Sequence, residues 1–216
     1  VISSFLSEGF RVIAPNPQGS IGRGARYAGL DDGEKRHALI DNEVGPFVEQ
    51  ISNNSKSSNL FMYGGSYGGW LVLSLATSPW GEFVQAGASR NGIGDMITFF
   101  NETSRWRREH RAREYLGNTE GKTETEIRDL MKKISPFEKG CDDLTCTRLK
   151  LFVGKEDSRV PSDSSQKFVN KLNNSYPEVE MHPPFNDEGH KIKRLRNRIE
   201  TMEKSCQLFK NSKSQS

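Results

Sequence analysis

Residues 60–76 read LFMYGGSYGGWLVLSLA, in which an apolar run, a glycine-rich turn and a helix-forming run follow one another directly. The turn has the pattern G-x-S-x-G, with Ser66 between Gly64 and Gly68. In an α/β sheet this pattern places a serine on a sharp strand-to-helix turn, so that its hydroxyl points out of the carboxyl edge of the sheet. We expect glycine at both flanking positions because a side chain at either would collide with the backbone of the turn. The pattern therefore predicts that Ser66 is a nucleophile.

A phosphate-binding loop is the alternative interpretation of a glycine-rich turn between a strand and a helix. Such loops carry G-K-[ST] or G-x-G-x-x-G spacing, and residues 64–69 carry neither. A helix that begins at the serine also directs its N-terminal amides toward any developing negative charge, which suits acyl transfer. The nucleophile interpretation is therefore favoured.

Short apolar runs alternate with helical patterns along the rest of the chain. The runs are FRVIAP (10–15), LFMYGG (60–65), FVQAGAS (83–89), LKLFVG (149–154) and VEMHPPF (179–185). Helices are predicted at 40–51, 71–76 and 168–172, and a last helix aligns one apolar stripe: Ile192, Leu195, Ile199, Met202, Cys206 and Phe209. Strands separated by helices predict a mostly parallel sheet covered on both faces. The expected fold class is α/β, with the last helix packed on the sheet.

Composition and charge exclude several classes of protein. A length of 216 residues fits one domain, and no apolar run approaches the roughly 18 to 20 residues that cross a bilayer. A net charge of +3, with Glu109 and Glu114 between the arginines of residues 105–114, argues against nucleic-acid binding. Three cysteines, an odd number, favour a reducing compartment such as the cytoplasm. Cys141 and Cys146 have no second pair at metal-ligand spacing, so no metal is expected.

A nucleophilic serine needs a histidine base and a carboxylate that orients it, here in the chain order serine, acid, histidine. Asp157 follows a predicted strand within GKEDSRVP, with Glu156 as its rival. His190 follows the last predicted strand within NDEGHK, on a short polar loop before the last helix. The remaining histidines are interpreted as surface or packing residues: His37, His110 and His182. The sequence therefore predicts a triad of Ser66, an acid at 156 or 157, and His190.

Five segments, in this order, resemble the catalytic domain of the prolyl oligopeptidase family of serine peptidases: PNPQGSIGRG (15–24), YGGSYGGW (63–70), ISPF (134–137), EDSRVP (156–161) and DEGH (187–190). The resemblance covers nearly the whole chain, and residues 92–117 are most similar to acylaminoacyl-peptidase-like and dipeptidyl-peptidase-like members. It implies an α/β-hydrolase fold. Gln18 departs from the pattern, since relatives usually carry Arg there.

The resemblance also implies residue roles. Ser66 would be the nucleophile, His190 the general base and acid, and Asp157 rather than Glu156 the orienting acid. The backbone N–H of Tyr67 would contribute to the oxyanion hole. Two further residues would contact substrate, one holding a backbone carbonyl and one lining the pocket for the residue before the cleaved bond: Arg159 and Val160, respectively.

We therefore expect residues 1–216 to be the catalytic domain of a serine peptidase that hydrolyses short peptides through an acyl-enzyme, without a cofactor. The chain begins at Val1, and the resemblance implies that early strands, a glycine-rich loop with a second oxyanion donor and a β-propeller precede it in a larger protein. A carboxylesterase of the same fold and a truncated, non-catalytic domain are the alternatives. Oligomeric state and compartment stay open.

Overall fold

The computed structural model describes residues 1–33, 35–54, 59–139, 144–146 and 148–213. Its sheet has four parallel strands in the order β1-β2-β3-β4. The strands are β1 (Phe61–Gly65), β2 (Ala86–Arg90), β3 (Leu149–Phe152) and β4 (Val179–Met181). Because consecutive strands are parallel, each connection crosses over the sheet and carries helices. The prediction of a parallel α/β sheet is confirmed.

Helices fill the connections between the strands. Before β1 lie α1 (Ile2–Ser7), α2 (Ala25–Ala28), α3 (Lys35–Leu39), a π-helical turn (Ile40–Val44) and α4 (Gly45–Asn54). After β1 come α5 (Tyr67–Ala76), a 3₁₀ turn (Pro79–Phe83), and, beyond β2, α6 (Met96–Glu102), α7 (Arg105–Leu116), α8 (Glu124–Lys133) and α9 (Pro136–Lys139). The last two are α10 (Ser162–Leu172) and α11 (Leu195–Asn211).

Helices cover both faces of the sheet. Side chains alternate between the two faces along each strand, so neighbouring residues of one strand pack into different clusters. Leu149 and Leu151 of β3 pack with α4, α5 and α10 on one face. Phe152, the next residue of β3, packs with α1 and α11 on the opposite face. A third apolar cluster joins α6, α7 and α8 to Trp70 of α5. This last cluster includes the loop residue Val160, so it borders the carboxyl ends of the strands.

One prediction of local structure is wrong, and another is confirmed for part of a helix: α11 packs on the sheet through Cys206 and Phe209. Residues 10–15 form no strand, because no described strand lies beside them to complete a hydrogen-bonded ladder. On α11, Leu195 is 68% exposed and Ile199 is 47% exposed, so the predicted stripe does not face the sheet along its whole length. The buried face near the start of α11 instead carries Asn197 and Thr201, whose polar groups have hydrogen-bond partners within the protein.

The turn from β1 to α5 brings two backbone segments into contact. A Cβ atom added at Gly64 would overlap the carbonyl group of Gly68, so the expectation of an obligatory glycine is confirmed there. At Gly68 itself the expectation is wrong, since a Cβ atom would meet nothing within 4 Å. The asymmetry arises because the Gly68 Cα–H points away from the turn whereas its carbonyl points into it. Gly64 is therefore the residue that permits the close approach.

Substituting these two glycines separately tests the contact. Gly64→Ala is expected to lower the free energy of unfolding by about 3 kcal/mol, because the added methyl group overpacks against rigid backbone. Gly68→Ala is the matched control, and it is expected to change that free energy by less than about 1 kcal/mol, since alanine suits a helix better than glycine. Denaturant unfolding measures both. Equal destabilisation by the two substitutions would contradict the structure.

Candidate active site

Ser66 lies at the tip of the turn in a backbone conformation that side chains rarely adopt, with φ 55° and ψ −117°. Two hydrogen bonds hold it there. Its N–H donates to the Arg90 carbonyl at 2.8 Å, and its carbonyl accepts from the Trp70 N–H at 3.0 Å. The first bond ties the turn to the end of β2, and the second begins α5. The serine hydroxyl is thus presented at the carboxyl edge of the sheet.

The side chains of Ser66, His190 and Asp157 form a continuous chain of hydrogen bonds. His190 Nε2 lies 2.9 Å from Ser66 Oγ, and His190 Nδ1 lies 2.8 Å from Asp157 Oδ2. The imidazole is 16% exposed and the carboxylate 1% exposed, so water reaches the ring but scarcely reaches the acid. The structure therefore brings together the three residues that the sequence singled out, although they come from three separate loops.

Asp157 is fixed by the backbone of its own loop. Its Oδ1 accepts hydrogen bonds from the N–H groups of Arg159 at 2.8 Å and Val160 at 3.0 Å. Its Oδ2 is therefore left to accept from His190. The rival acid, Glu156, has an exposed side chain, and its backbone N–H donates to the Glu188 carbonyl at 2.9 Å. Of the two neighbouring acids, only Asp157 contacts the histidine.

The loop that carries His190 is held by Glu188, a residue to which the sequence analysis gave no role. The Glu188 carboxylate accepts from the N–H groups of Lys193 at 2.9 Å and Arg194 at 2.8 Å, and from the Asn197 amide at 2.9 Å. Burial opposes ionisation of Glu188, but these hydrogen bonds outweigh it and hold the pKa below its usual value. The carboxylate thus ties the histidine loop to the residues that lead into α11 and, through Asn197, to the helix itself.

Asn91 is a second positioning residue that the sequence analysis missed. It follows β2 directly, is buried, and has a positive φ of 48°. Its side-chain amide donates to the His190 carbonyl at 2.6 Å, and its side-chain oxygen accepts from the Gly154 N–H at 3.0 Å. It therefore links the ends of β2 and β3 to the histidine loop. The signal that could have found it is a conformationally tolerant Asn two residues after a predicted strand.

The three residues expected around the triad lie beside it in different environments. Tyr67 follows Ser66, its ring packs against the cluster that contains Trp70 and Val160, and burial raises the pKa of its hydroxyl. Val160 is buried in that cluster. Arg159 has an exposed side chain, while its carbonyl accepts from Thr103 Oγ1 at 3.1 Å. The loop after Asp157 thus contributes one apolar side chain to the cluster and one cationic side chain to solvent.

Among the described side chains, those of His110, His182, Cys146 and Cys206 take no part in this site. His182 stacks on Phe185 and lies 3.0 Å from Glu200, and His110 is exposed on α7. The side chain of His37 and the whole of Cys141 lie outside the described residues. Cys146 is buried, and burial raises the pKa of its thiol to about 12. Within the described ranges no group of three or more His, Cys, Asp or Glu could hold a metal ion, and no helix is long and apolar enough to cross a membrane.

Comparison with known proteins identifies relatives of this chain. A model of the prolyl oligopeptidase family matches residues 1–215. The structure of a Mycobacterium tuberculosis puromycin-hydrolysing peptidase is 20% identical, with a TM-score of 0.78 over 92% of this chain and 29% of that one. Pyrococcus horikoshii acylaminoacyl peptidase is also 20% identical, with a TM-score of 0.75 over 93% of this chain and 32% of that one. A comparison with curated proteins finds no match.

These likenesses confirm the predicted α/β-hydrolase fold. A puromycin hydrolase structure agrees with them, at 19% identity and a TM-score of 0.75 over 91% of this chain and 28% of that one. The chain spans less than a third of the length of each of these three proteins. The region of each relative that resembles this chain is therefore one part of that larger relative.

Replacing Glu188 by Gln tests the hydrogen bonds that hold the histidine loop. Because the pKa of Glu188 is lowered by folding, its stabilisation is present above the ordinary value of 4.5 and is lost as the pH falls through the folded-state value. Glu188→Gln is therefore expected to lower the free energy of unfolding by about 1 to 2 kcal/mol at pH 7 and by less at about pH 3. Denaturant unfolding at both pH values measures the difference.

The matched control is Glu203→Gln, which removes an exposed carboxylate from α11 and should leave the free energy of unfolding nearly unchanged at both pH values. An equal loss from Glu188→Gln at the two pH values would show that the charge of Glu188 does not stabilise the histidine loop.

Proposed function

The chain belongs to the prolyl oligopeptidase family, and on that premise we propose that it is the catalytic domain of a serine peptidase that hydrolyses short peptides through an acyl-enzyme. The observation that carries the proposal is the hydrogen-bond chain from Ser66 through His190 to Asp157. A serine hydroxyl is a weak nucleophile by itself, and a histidine within hydrogen-bond reach activates it. An oriented acid behind the histidine completes the arrangement.

The first half of the proposed reaction forms the acyl-enzyme. His190 Nε2 takes the proton of Ser66 Oγ as that oxygen attacks the scissile carbonyl carbon. The resulting tetrahedral oxyanion accepts a hydrogen bond from the Tyr67 N–H at the start of α5. A well-placed donor of this kind stabilises the transition state by about 3 to 4 kcal/mol. His190 then gives its proton to the leaving amine, the C–N bond breaks, and the acyl group stays on Ser66.

The second half releases the acid product. His190 Nε2 takes a proton from water, whose oxygen attacks the ester carbon, and the proton returns to Ser66 Oγ as the ester C–O bond breaks. Asp157 holds the Nδ1–H tautomer throughout, so that Nε2 is free to accept a proton. The two backbone hydrogen bonds to Asp157 Oδ1 keep the carboxylate oriented while the ring gains and loses charge. The nucleophilic attack and the proton transfers of both halves use Ser66, His190 and water.

Two residues of the loop after Asp157 support a peptide as substrate. Arg159 presents an exposed guanidinium beside the triad, which can donate to a backbone carbonyl of the substrate. Val160 contributes an apolar wall that fits the side chain before the cleaved bond. A simple ester offers no second carbonyl to Arg159, so peptide hydrolysis accounts for more of the site than ester hydrolysis does.

The proposal includes a larger protein. The chain spans 28% to 32% of the solved relatives with which it shares a fold, which supports residues 1–216 as one domain of a longer polypeptide. We propose that upstream strands supply the second oxyanion donor. A β-propeller that limits entry to short peptides would lie further upstream.

A fluorophosphonate probe tests the activated nucleophile. The purified chain is expected to label rapidly, Ser66→Ala not at all, and His190→Ala at least about a hundredfold more slowly because general-base assistance is lost. His182→Ala is the matched control, since that histidine also pairs with a carboxylate, that of Glu200, but lies outside the site. Labelling is followed by gel fluorescence, and circular dichroism verifies that each variant is folded.

A folded wild-type chain that does not label would contradict a working triad in these residues. The measurement is then repeated on a longer protein that includes the upstream region. Labelling of that protein would show that upstream strands are needed, whereas no labelling would show that the triad assignment is wrong. Among labelled proteins, turnover of acylated peptides and aminoacyl-proline peptides supports the peptidase, whereas turnover of esters alone would favour the carboxylesterase.

A further inference from the structure

A buried guanidinium lies beneath the proposed oxyanion residue. Arg36 of α3 is only 1% exposed. Its Cζ atom lies 4.0 Å from the ring centroid of Tyr115 and 4.7 Å from that of Tyr67, so the cation is in contact with the faces of both rings. Planar guanidinium groups stack well on aromatic rings, and lysine does not reproduce this arrangement. Arg36 therefore packs directly against the residue that follows the nucleophile.

The same guanidinium pairs with a buried acid that also holds Tyr67. Arg36 Nη2 lies 3.2 Å from Asp31 Oδ2, and the Tyr67 hydroxyl donates to that same oxygen at 2.7 Å. Asp31 is 5% exposed. Two atoms of the guanidinium, Nε and Nη1, are buried without a hydrogen-bond partner among the described residues. Burial of a charged pair with unmet donors is costly and adds little net stability, so a role in stability alone accounts poorly for this arrangement.

The ring of Tyr67 also packs against the ring of Trp70. The two rings stack with centroids 5.3 Å apart, and the Trp70 indole N–H donates to the Ile134 carbonyl at 2.8 Å. The phenol of Tyr67 is thus held by a hydrogen bond at its tip, by a cation at one face and by an indole.

The sequence explains why this side chain matters to the backbone around it. Residues 64–69 read GGSYGG, so only Ser66 and Tyr67 carry side chains within the turn. Ser66 must leave its hydroxyl free for the histidine. Tyr67 is then the only side chain of the turn through which packing can fix the first residue of α5. The peptide that carries the Tyr67 N–H is held at its other end by the Ser66 carbonyl, which accepts from the Trp70 N–H at 3.0 Å. The Tyr67 ring is the side-chain restraint on that same peptide.

We propose that Asp31 and Arg36 are positioning residues for the oxyanion hole: they hold the Tyr67 side chain and, through it, the direction of the Tyr67 backbone N–H. The inference rests on the proposed function, in which that N–H stabilises the tetrahedral oxyanion. Asp31 and Arg36 touch neither substrate nor the reacting atoms. A small error in the position of an oxyanion donor weakens a bond made chiefly in the transition state, so kcat falls while KM stays constant.

Tyr67→Phe is the first test, because it removes the hydroxyl and leaves the ion pair and the ring stacking in place. The full chain is titrated with the fluorophosphonate probe, and kcat and KM for a peptide substrate are measured per labelled site. We expect kcat to fall about tenfold with KM unchanged, a part of the loss of about 10²-fold or more that follows removal of a whole donor. Counting labelled sites removes any contribution from unfolded protein.

Tyr27→Phe is the matched control, since it deletes another tyrosine hydroxyl, one that donates to the Asn16 carbonyl at 3.0 Å. It is expected to leave kcat and KM unchanged. Arg36→Lys keeps a positive charge near Asp31 but loses the planar contact with both rings, and it is expected to lower kcat as Tyr67→Phe does.

Three results separate the possibilities. A Tyr67→Phe enzyme whose kcat per labelled site stays within twofold of wild type, or whose KM alone changes, would overturn the proposal. A wild-type kcat in Arg36→Lys would overturn the assignment of Arg36. A wild-type chain that neither labels nor turns over substrate would instead contradict the proposed function, so the two failures are distinguishable.

Discussion

The contact between Gly64 and the carbonyl group of Gly68 is the constraint on which the rest of the site depends. It allows the chain to leave β1, pass through a positive φ at Ser66 and begin α5 within a few residues. The strained serine is held by its hydrogen bond to the end of β2, so the sheet itself stabilises a conformation that an isolated peptide would avoid. A methyl group at Gly64 would separate the two segments, and the hydroxyl would no longer face the loops that carry the acid and the histidine.

Parallel strands make that convergence possible. The carboxyl ends of β1, β2 and β3 lie at one edge of the sheet, and the loops that follow them carry Ser66, Asn91 and Asp157. His190 comes from the loop beyond β4, where Asn91 holds its carbonyl and Glu188 ties the loop to the following helix through Asn197. The distances within the proposed triad are thus consequences of the order of the strands. Loops are the most mobile elements of a fold, and the buried side chains of Asn91 and Glu188 hold the loop that carries His190.

The parts predictable from sequence were those with a local physical signature. Glycines around a serine between an apolar run and a helix indicate the turn, and the order of Ser66, an acid at 156 or 157, and His190 follows from the same template. The choice of Asp157 over Glu156 came from the family resemblance. Contacts between residues that are far apart in the sequence have no such local signature. Residues 10–15 look like a strand but have none beside them among the described residues. The buried face of α11 begins with Asn197 because that amide meets Glu188. The contacts of Arg36 with Asp31 and Tyr67 could be seen only once the helices were packed.

The central claim is that Ser66 carries the acyl group during catalysis. Its most direct test is to incubate the chain with an activated ester, quench the reaction in acid and map the acylated residue by peptide mass spectrometry. The account predicts one acyl group per chain on the peptide that contains Ser66, and none in Ser66→Ala. Steady turnover of the ester by Ser66→Ala at the wild-type rate, or an acyl group mapped to another residue, would contradict it.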